Sequence, residues 1–141
     1  MRAKYLVINS SDRTTGDENN FFISLTNCNL NKIVQVKLLS AIIPYNADMA
    51  DEEYVYIRSH ELGLPVIEAT GESATFVIRN DSTSTLRYEP NTEFEQTIEY
   101  NPPTSIPYLN ISLIKLPIAD TPLITMSANW SFILEIKYAE N

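Results

Sequence analysis

Hydrophobic and polar residues alternate in short runs along most of the chain, with the period of two that is typical of half-buried β-strands. The longest run spans residues 33–45 and becomes apolar on both sides in its second half. We predict a central strand here, with Val34, Val36, Leu38 and Ile42 on one face. Its first half would have one solvent-facing side and its second half two covered sides. Pro44 is expected to end it, because proline cannot donate to a sheet ladder.

Shorter runs of the same kind predict strands on both sides of this one. They cover residues 4–9, 21–25, 54–59, 65–69, 74–79, 86–88, 93–100, 108–115 and 130–138. The runs recur about every 8 to 12 residues, and helical periodicity is limited to one turn within residues 46–53. This spacing predicts an all-β fold, an antiparallel β-sandwich. Because the chain has three glycines, its connections must use Pro, Asn, Asp and Ser, and such longer loops favour a single jelly roll.

The length of 141 residues fits one domain. We expect residues 1–20 to form an N-terminal strand or arm followed by a loop, since residues 10–20 are rich in turn-forming side chains. Residues 21–141 would form the sandwich. A break is expected at residues 101–103, where Asn-Pro-Pro follows a strand.

The net charge of the chain limits the classes of molecule that it is expected to bind. A formal net charge of −8 argues against binding to nucleic acid, because that affinity comes from Lys and Arg at the phosphates. No apolar run approaches the roughly 20 residues that cross a bilayer, and no signal peptide is evident, so we expect a soluble protein without membrane insertion, folded in the cytoplasm. A single cysteine excludes an intrachain disulfide.

Two residue types with catalytic potential each occur once. His60 lies in a charged turn without partners at a recognisable spacing, so we expect a solvated histidine. Cys28 has no nearby His and no Cys-x-x-Cys partner, and we expect a half-buried small residue. We therefore predict no catalytic residue, no metal site and no cofactor, and hence no enzyme.

Acidic residues cluster in two places. The group in residues 48–53 lacks the alternating spacing of a calcium loop, so we expect a solvated acidic connection. Glu93, Glu95 and Glu99 share one predicted strand face, which resembles a glycosidase acid pair but is explained more simply by a charged sheet surface. The eight tyrosines and the single tryptophan could stack on sugar rings, yet most of them fall on alternating positions that favour the core.

Two stretches of the chain resemble small jelly-roll capsid proteins. The first is YLVINSSDRTTGDENNFFISL followed by VQVKLLSAIIPY, where a strand ends in a Ser-x-Asp-Arg-like loop and a later strand closes in Ile43-Pro44. The second is the final TMSANWSFILEIKY. These features are similar to those of the vertex (penton) and minor capsid proteins of virophages, polinton-like viruses and related double-jelly-roll-lineage DNA viruses. The chain departs from the pattern at Pro44-Tyr45-Asn46, and it has no room for a second domain.

The resemblance implies an architectural role in a virion. A penton subunit would self-assemble into a ring, most simply a pentamer, and contact the major capsid protein. In such an assembly Asp12 and Arg13 would pair within or between subunits, whereas the simpler alternative is that they close a local turn. The residues leave two other functions open: a minor capsid or cement protein, and a carbohydrate- or receptor-binding jelly-roll module.

Overall fold

The computed structural model describes residues 2–80, 84–90, 95–116 and 123–139, which contain twelve β-strands. They are β1 (Arg2–Asn9), β2 (Thr15–Asp17), β3 (Asn20–Ser24), β4 (Ile33–Pro44), β5 (Tyr54–Arg58), β6 (Val66–Ile67), β7 (Ser73–Ala74), β8 (Phe76–Arg79), β9 (Thr85–Tyr88), β10 (Thr97–Thr104), β11 (Tyr108–Ile114) and β12 (Ser131–Tyr138). Three short 3₁₀ turns are the helical elements of this part of the chain: Ser10–Asp12, Thr26–Cys28 and Ala47–Met49. The last of these confirms the helical turn predicted within residues 46–53.

The strands form two antiparallel sheets. The first has the order β1-β12-β4, with β10 and β9 both pairing with β4 on its other side. The second has the order β2-β3-β11-β5-β8, and β6 and β7 form a small separate hairpin. Between β1 and β12 the chain crosses repeatedly from one sheet to the other, and its first and last strands pair at one end of the first sheet. This is the jelly-roll arrangement, and it confirms the predicted all-β antiparallel sandwich.

The hydrophobic core lies between the two sheets, where the alternating faces predicted from the sequence meet. Phe21 and Ile23 point inward from β3, and Phe132, Leu134 and Ile136 point inward from β12; all five are buried. Neighbouring apolar side chains fill the space between them, as is usual for the two inner faces of a sandwich. No helix in the described ranges is long and apolar enough to span a membrane.

The predicted faces of the central strand are wrong, although the strand itself is confirmed as β4. Pairing with β12 skips one residue at Val34 and another at Leu39. Each β-bulge adds a residue without a partner and reverses the alternation that follows. Five residues therefore share the core face: Ile33, Val36, Leu38, Ala41 and Ile43. Ile42 lies on the outer face and is 39% exposed, so the second half of β4 is not covered on both sides.

The strand predicted at residues 4–9 is confirmed as β1, and the loop expected after it contains a further short strand, β2. β1 pairs with β12 of its own chain from Arg2 to Asn9, which makes it a terminal strand of the first sheet. Within the predicted loop, β2 pairs with β3. Gly16 permits this hairpin: its φ is +104°, and a Cβ there would collide with the Asn20 carbonyl and approach the Phe21 Cα to 2.8 Å.

The break expected at residues 101–103 is a register shift. β10 continues through Pro102 and Pro103 to Thr104, and its pairing with β4 becomes irregular between Glu99 and Thr104. Prolines are tolerated there because the irregular stretch does not need a donor from every residue.

Candidate functional site

The Asp12-Arg13 loop is closed by bonds within its own chain. The Arg13 guanidinium donates to the Gly16 carbonyl through Nε at 2.9 Å and to the Ser10 carbonyl through NH1 at 2.8 Å. Its other NH2 group lies 4.0 Å from Glu18. Asp12 is exposed, and within the described residues no hydrogen bond or ion pair joins it to Arg13. The structure thus places Arg13 in a local turn; pairing between subunits stays a prediction.

The same loop is bonded to the start of the last strand. Ser10 is fully buried; its hydroxyl donates to Asn129 Oδ1 at 2.9 Å and accepts from the Trp130 amide at 3.0 Å. Trp130 Nε1 donates to the Glu18 carbonyl at 2.6 Å. The two stretches that carry the capsid resemblance therefore meet in one hydrogen-bonded cluster. Sequence reasoning singled out Arg13 but missed Ser10 and Asn129, whose partners lie more than 110 positions away.

The outer face of the first sheet carries an exposed apolar surface at one end. Tyr5 and Val7 of β1 are 64% and 61% exposed. Val7 lies opposite Ile133 of β12, and Ile42 of β4 lies opposite Ser131, two residues from Ile133. We call Tyr5, Val7, Ile133 and Ile42 the outer stripe. It spans three strands and starts at the terminal strand β1, whose second edge has no partner strand among the described residues.

The other end of this face is ionic. Lys37 pairs with Glu95 at 3.1 Å, and Gln35 donates to Glu99 at 3.5 Å. Glu93, the third member of the predicted acidic row, lies outside the described residues. Because Glu95 and Glu99 bond cross-strand neighbours, the geometry favours a charged sheet surface over an acid pair flanking a substrate.

A groove of about 570 Å³ opens beside β5 and β8. We call it the tyrosine groove. Its lining includes Tyr54, Tyr56, Glu68, Arg79, Arg87 and Tyr88. Tyr54 and Arg79 are opposite each other on neighbouring strands, and Arg87 and Tyr88 come from β9 of the other sheet. Concave sites of this size, with apolar walls and a few polar groups, are typical of small-ligand binding.

The polar groups of the groove differ in whether they have hydrogen-bond or ion-pair partners. The Tyr56 hydroxyl donates to Glu68, and burial together with this contact raises the pKa of Tyr56. Arg79 and Arg87 are exposed, and neither guanidinium group has an ion pair or hydrogen bond with another described residue. The hydroxyl of Tyr88 is buried and also lacks a partner among these residues. Two guanidinium groups are thus available at this surface.

The expectation that most of the nine tyrosine and tryptophan residues belong to the core is confirmed for five of them. Trp130 lies in the main core, Tyr45, Tyr88 and Tyr100 pack against it, and Tyr56 belongs to a second buried cluster. Tyr56 is buried, but it packs outside the main core with Ala74, Ile114 and Leu116. Tyr5, Tyr54 and Tyr108 are at least 40% exposed. These three exposed tyrosines lie on the outward faces of β1, β5 and β11.

The remaining candidates lie apart from one another. His60 is exposed in a turn and Cys28 is half-buried against the core, as predicted for both. In the described part of the chain, no three His, Cys, Asp or Glu side chains are close enough to hold a metal ion. In the acidic connection, Asp48 is not simply solvated: it accepts from Lys115 Nζ and from the Thr125 amide, both at 2.8 Å.

These bonds predict a pH-dependent contribution to stability. The hydrogen bond from Lys115, with that from Thr125, lowers the pKa of Asp48 in the folded state. A carboxyl with a lowered folded pKa contributes stability above its unfolded pKa of about 3.9 and loses it as the pH falls through the folded value. We expect Asp48→Asn to lower the Tm at pH 7, and this difference to shrink at pH 3. Asp51→Asn, an exposed neighbour, is the control and should change little at either pH.

No family model matches the chain, and no curated protein matches it.

Proposed function

We propose that this chain is an architectural subunit of a viral capsid that self-associates through the outer stripe and the edge of β1 that no described strand pairs. One observation carries the proposal: a terminal strand of eight residues that exposes Tyr5 and Val7 beside Ile133 and Ile42. Natural edge strands are usually short or charged, because an open edge pairs with other chains. An apolar surface continuous with an open edge suits contact with a second copy.

The capsid assignment rests on the resemblance of the two terminal stretches and on the jelly-roll topology. In this proposal the chain forms a ring at the capsid vertex, and five copies are the simplest case. A ring needs head-to-tail contacts, in which the outer stripe of one subunit meets a different surface of the next. The ring would contact the major capsid protein in the virion after folding in the host cytoplasm. A minor capsid or cement protein would use the same surface with fewer copies, and neither role requires catalysis.

The test is the mass in solution, measured by light scattering on a sizing column over a range of protein and salt concentrations. We expect a discrete species with the mass of five chains. The double variant Tyr5→Lys/Val7→Lys should be monomeric, because it puts charge on the contact surface while both positions are already exposed in the fold. Circular dichroism would verify that the fold is kept.

The matched control is Tyr5→Phe/Val7→Ile, which keeps the surface apolar and should keep the oligomer. A wild-type chain that remains monomeric under every condition would contradict the ring. An oligomer that survives the lysine substitutions would show that the contact lies elsewhere.

A further inference from the structure

We propose that the tyrosine groove is a binding site for a saccharide that carries a carboxylate, such as a uronic acid. The groove and the outer stripe share no residue, although Arg87 of the groove lies opposite Ile42 of the stripe on neighbouring strands. The proposed binding is a second activity, recognition of a small acidic sugar by one subunit.

The aromatic lining favours a ligand ring with an apolar C–H face, such as a sugar. Tyr54 is 40% exposed, and Tyr56 and Tyr88 line the same cavity. Tyrosine presents an apolar face to the C–H groups of a sugar and a hydroxyl to its polar edge. A volume of about 570 Å³ is large enough for one or two sugar rings.

The two arginines favour a carboxylate on that ring. Arg79 and Arg87 come from different sheets and reach one cavity, and among the described residues neither has a carboxylate partner. Guanidinium groups bind carboxylates through paired, charge-assisted hydrogen bonds. Because the chain carries a net charge of −8, a singly charged ligand is repelled less than a polyphosphate.

The remaining polar groups suit the hydroxyls of a sugar. Glu68 and Glu89 line the groove and can accept from hydroxyl donors. Glu68 is already held by Tyr56, which fixes its position.

The experiment compares methyl glucuronide with methyl glucoside, which differ at the carboxylate. Binding to the full chain is followed by titration with NMR detection. We expect saturable binding of the glucuronide with a Kd of about 1 mM, as the usual efficiency per ligand atom implies for a molecule of this size. The glucoside should bind about tenfold more weakly or not at all, since it lacks the charged contact.

Substitutions of groove residues then test whether the sugar binds in the tyrosine groove. Arg79→Gln and Arg87→Gln should each weaken glucuronide binding about tenfold, because each removes a charge-assisted contact. Arg2→Gln makes the same chemical change on β1, outside the groove, and should leave the Kd unchanged. Tyr54→Ala should weaken binding of the sugar, whereas Tyr54→Phe should preserve it.

Three results would overturn the proposal. They are equal binding of glucoside and glucuronide, no saturation by the glucuronide at 20 times the expected Kd, and equal competition by acetate, which would indicate a carboxylate site that does not recognise the sugar. None of these results would bear on the solution mass, so the failure of this inference and the failure of the ring remain distinguishable.

Discussion

Replacing Trp130 with alanine is expected to reduce the free energy of unfolding by about 3 to 5 kcal/mol, the usual effect of deleting a large buried aromatic side chain. Trp130 is 2% exposed at one end of the sandwich. Its ring stacks on Phe132 of the first sheet at 5.4 Å between centroids and meets Phe21 of the second sheet edge-on at 6.0 Å. The substitution therefore opens a cavity between the two sheets.

The conservative variant Trp130→Phe separates packing from hydrogen bonding. It keeps an aromatic ring between the sheets but loses the Nε1 donor to the Glu18 carbonyl. We expect a loss of about 1 to 2 kcal/mol from that hydrogen bond and the smaller ring. Urea unfolding followed by circular dichroism is the suitable measurement, because both variants lack the single tryptophan of the chain.

Equal losses for the two variants would contradict the packing argument and assign the effect to the bond with Glu18. The backbone bonds between Trp130 and Ser10 are common to both variants, so they cancel in the comparison. The result also bears on the terminal motifs, since Trp130 holds the loop that contains Arg13 against the last strand.

The core strands could be predicted from the sequence because their side chains alternate without interruption. In β12 the inward residues Phe132, Leu134 and Ile136 follow a strict period of two. The bulges of β4 could not be predicted in this way. Val34 and Leu39 are as hydrophobic as their neighbours, so the sequence shows no sign that either residue is skipped in the pairing.

The turn-forming residues at positions 15–17 predicted a loop where the structure has β2. Thr15, Gly16 and Asp17 are typical loop residues, yet Gly16 is needed in a strand because the neighbouring backbone leaves no space for a Cβ. β2 is also a terminal strand that pairs only on one side among the described elements. Short strands of this kind carry almost no hydrophobic periodicity.

The tyrosine groove could not be predicted because four separate strands build it. Tyr56 of β5 and Val66 of β6 are ten positions apart, and Arg87 of β9 lies in the other sheet. The tyrosine-rich composition was compatible with a sugar-binding surface. The groove was nevertheless not predicted, because the alternating positions favoured the core for most of these side chains. Tertiary packing decides which of these outward side chains share a cavity.

Replacing Gln96 is expected to have the second large effect on stability, because the Gln96 side chain hydrogen-bonds the edge of β8 as a neighbouring strand would. β8 is the terminal strand of the second sheet, and the Val77 backbone faces its open edge. Gln96 Oε1 accepts from the Val77 amide at 2.7 Å, and its Nε2 donates to the Val77 carbonyl at 2.8 Å. The residue is 6% exposed. Gln96→Ala leaves both backbone groups without these partners and is expected to cost about 2 to 4 kcal/mol of stability.

Gln96→Glu is expected to make the same contact depend on pH. A protonated carboxyl can accept from the Val77 amide and donate to its carbonyl, whereas a buried carboxylate would face that carbonyl with two acceptors. The folded state should therefore raise the pKa of this carboxyl above its unfolded value of about 4.3. The stability it contributes is fully present below that pH and is lost as the pH rises through the folded pKa.

Urea unfolding of both variants and the wild type at pH 4 and pH 8 checks this expectation. The deficit of Gln96→Glu relative to the wild type should be small at pH 4 and approach that of Gln96→Ala at pH 8. The alanine variant has no group that titrates at this position, so its deficit should be the same at both pH values. A glutamate deficit that stays constant, or that shrinks as the pH rises, would show that the amide of Gln96 is not what satisfies the edge of β8.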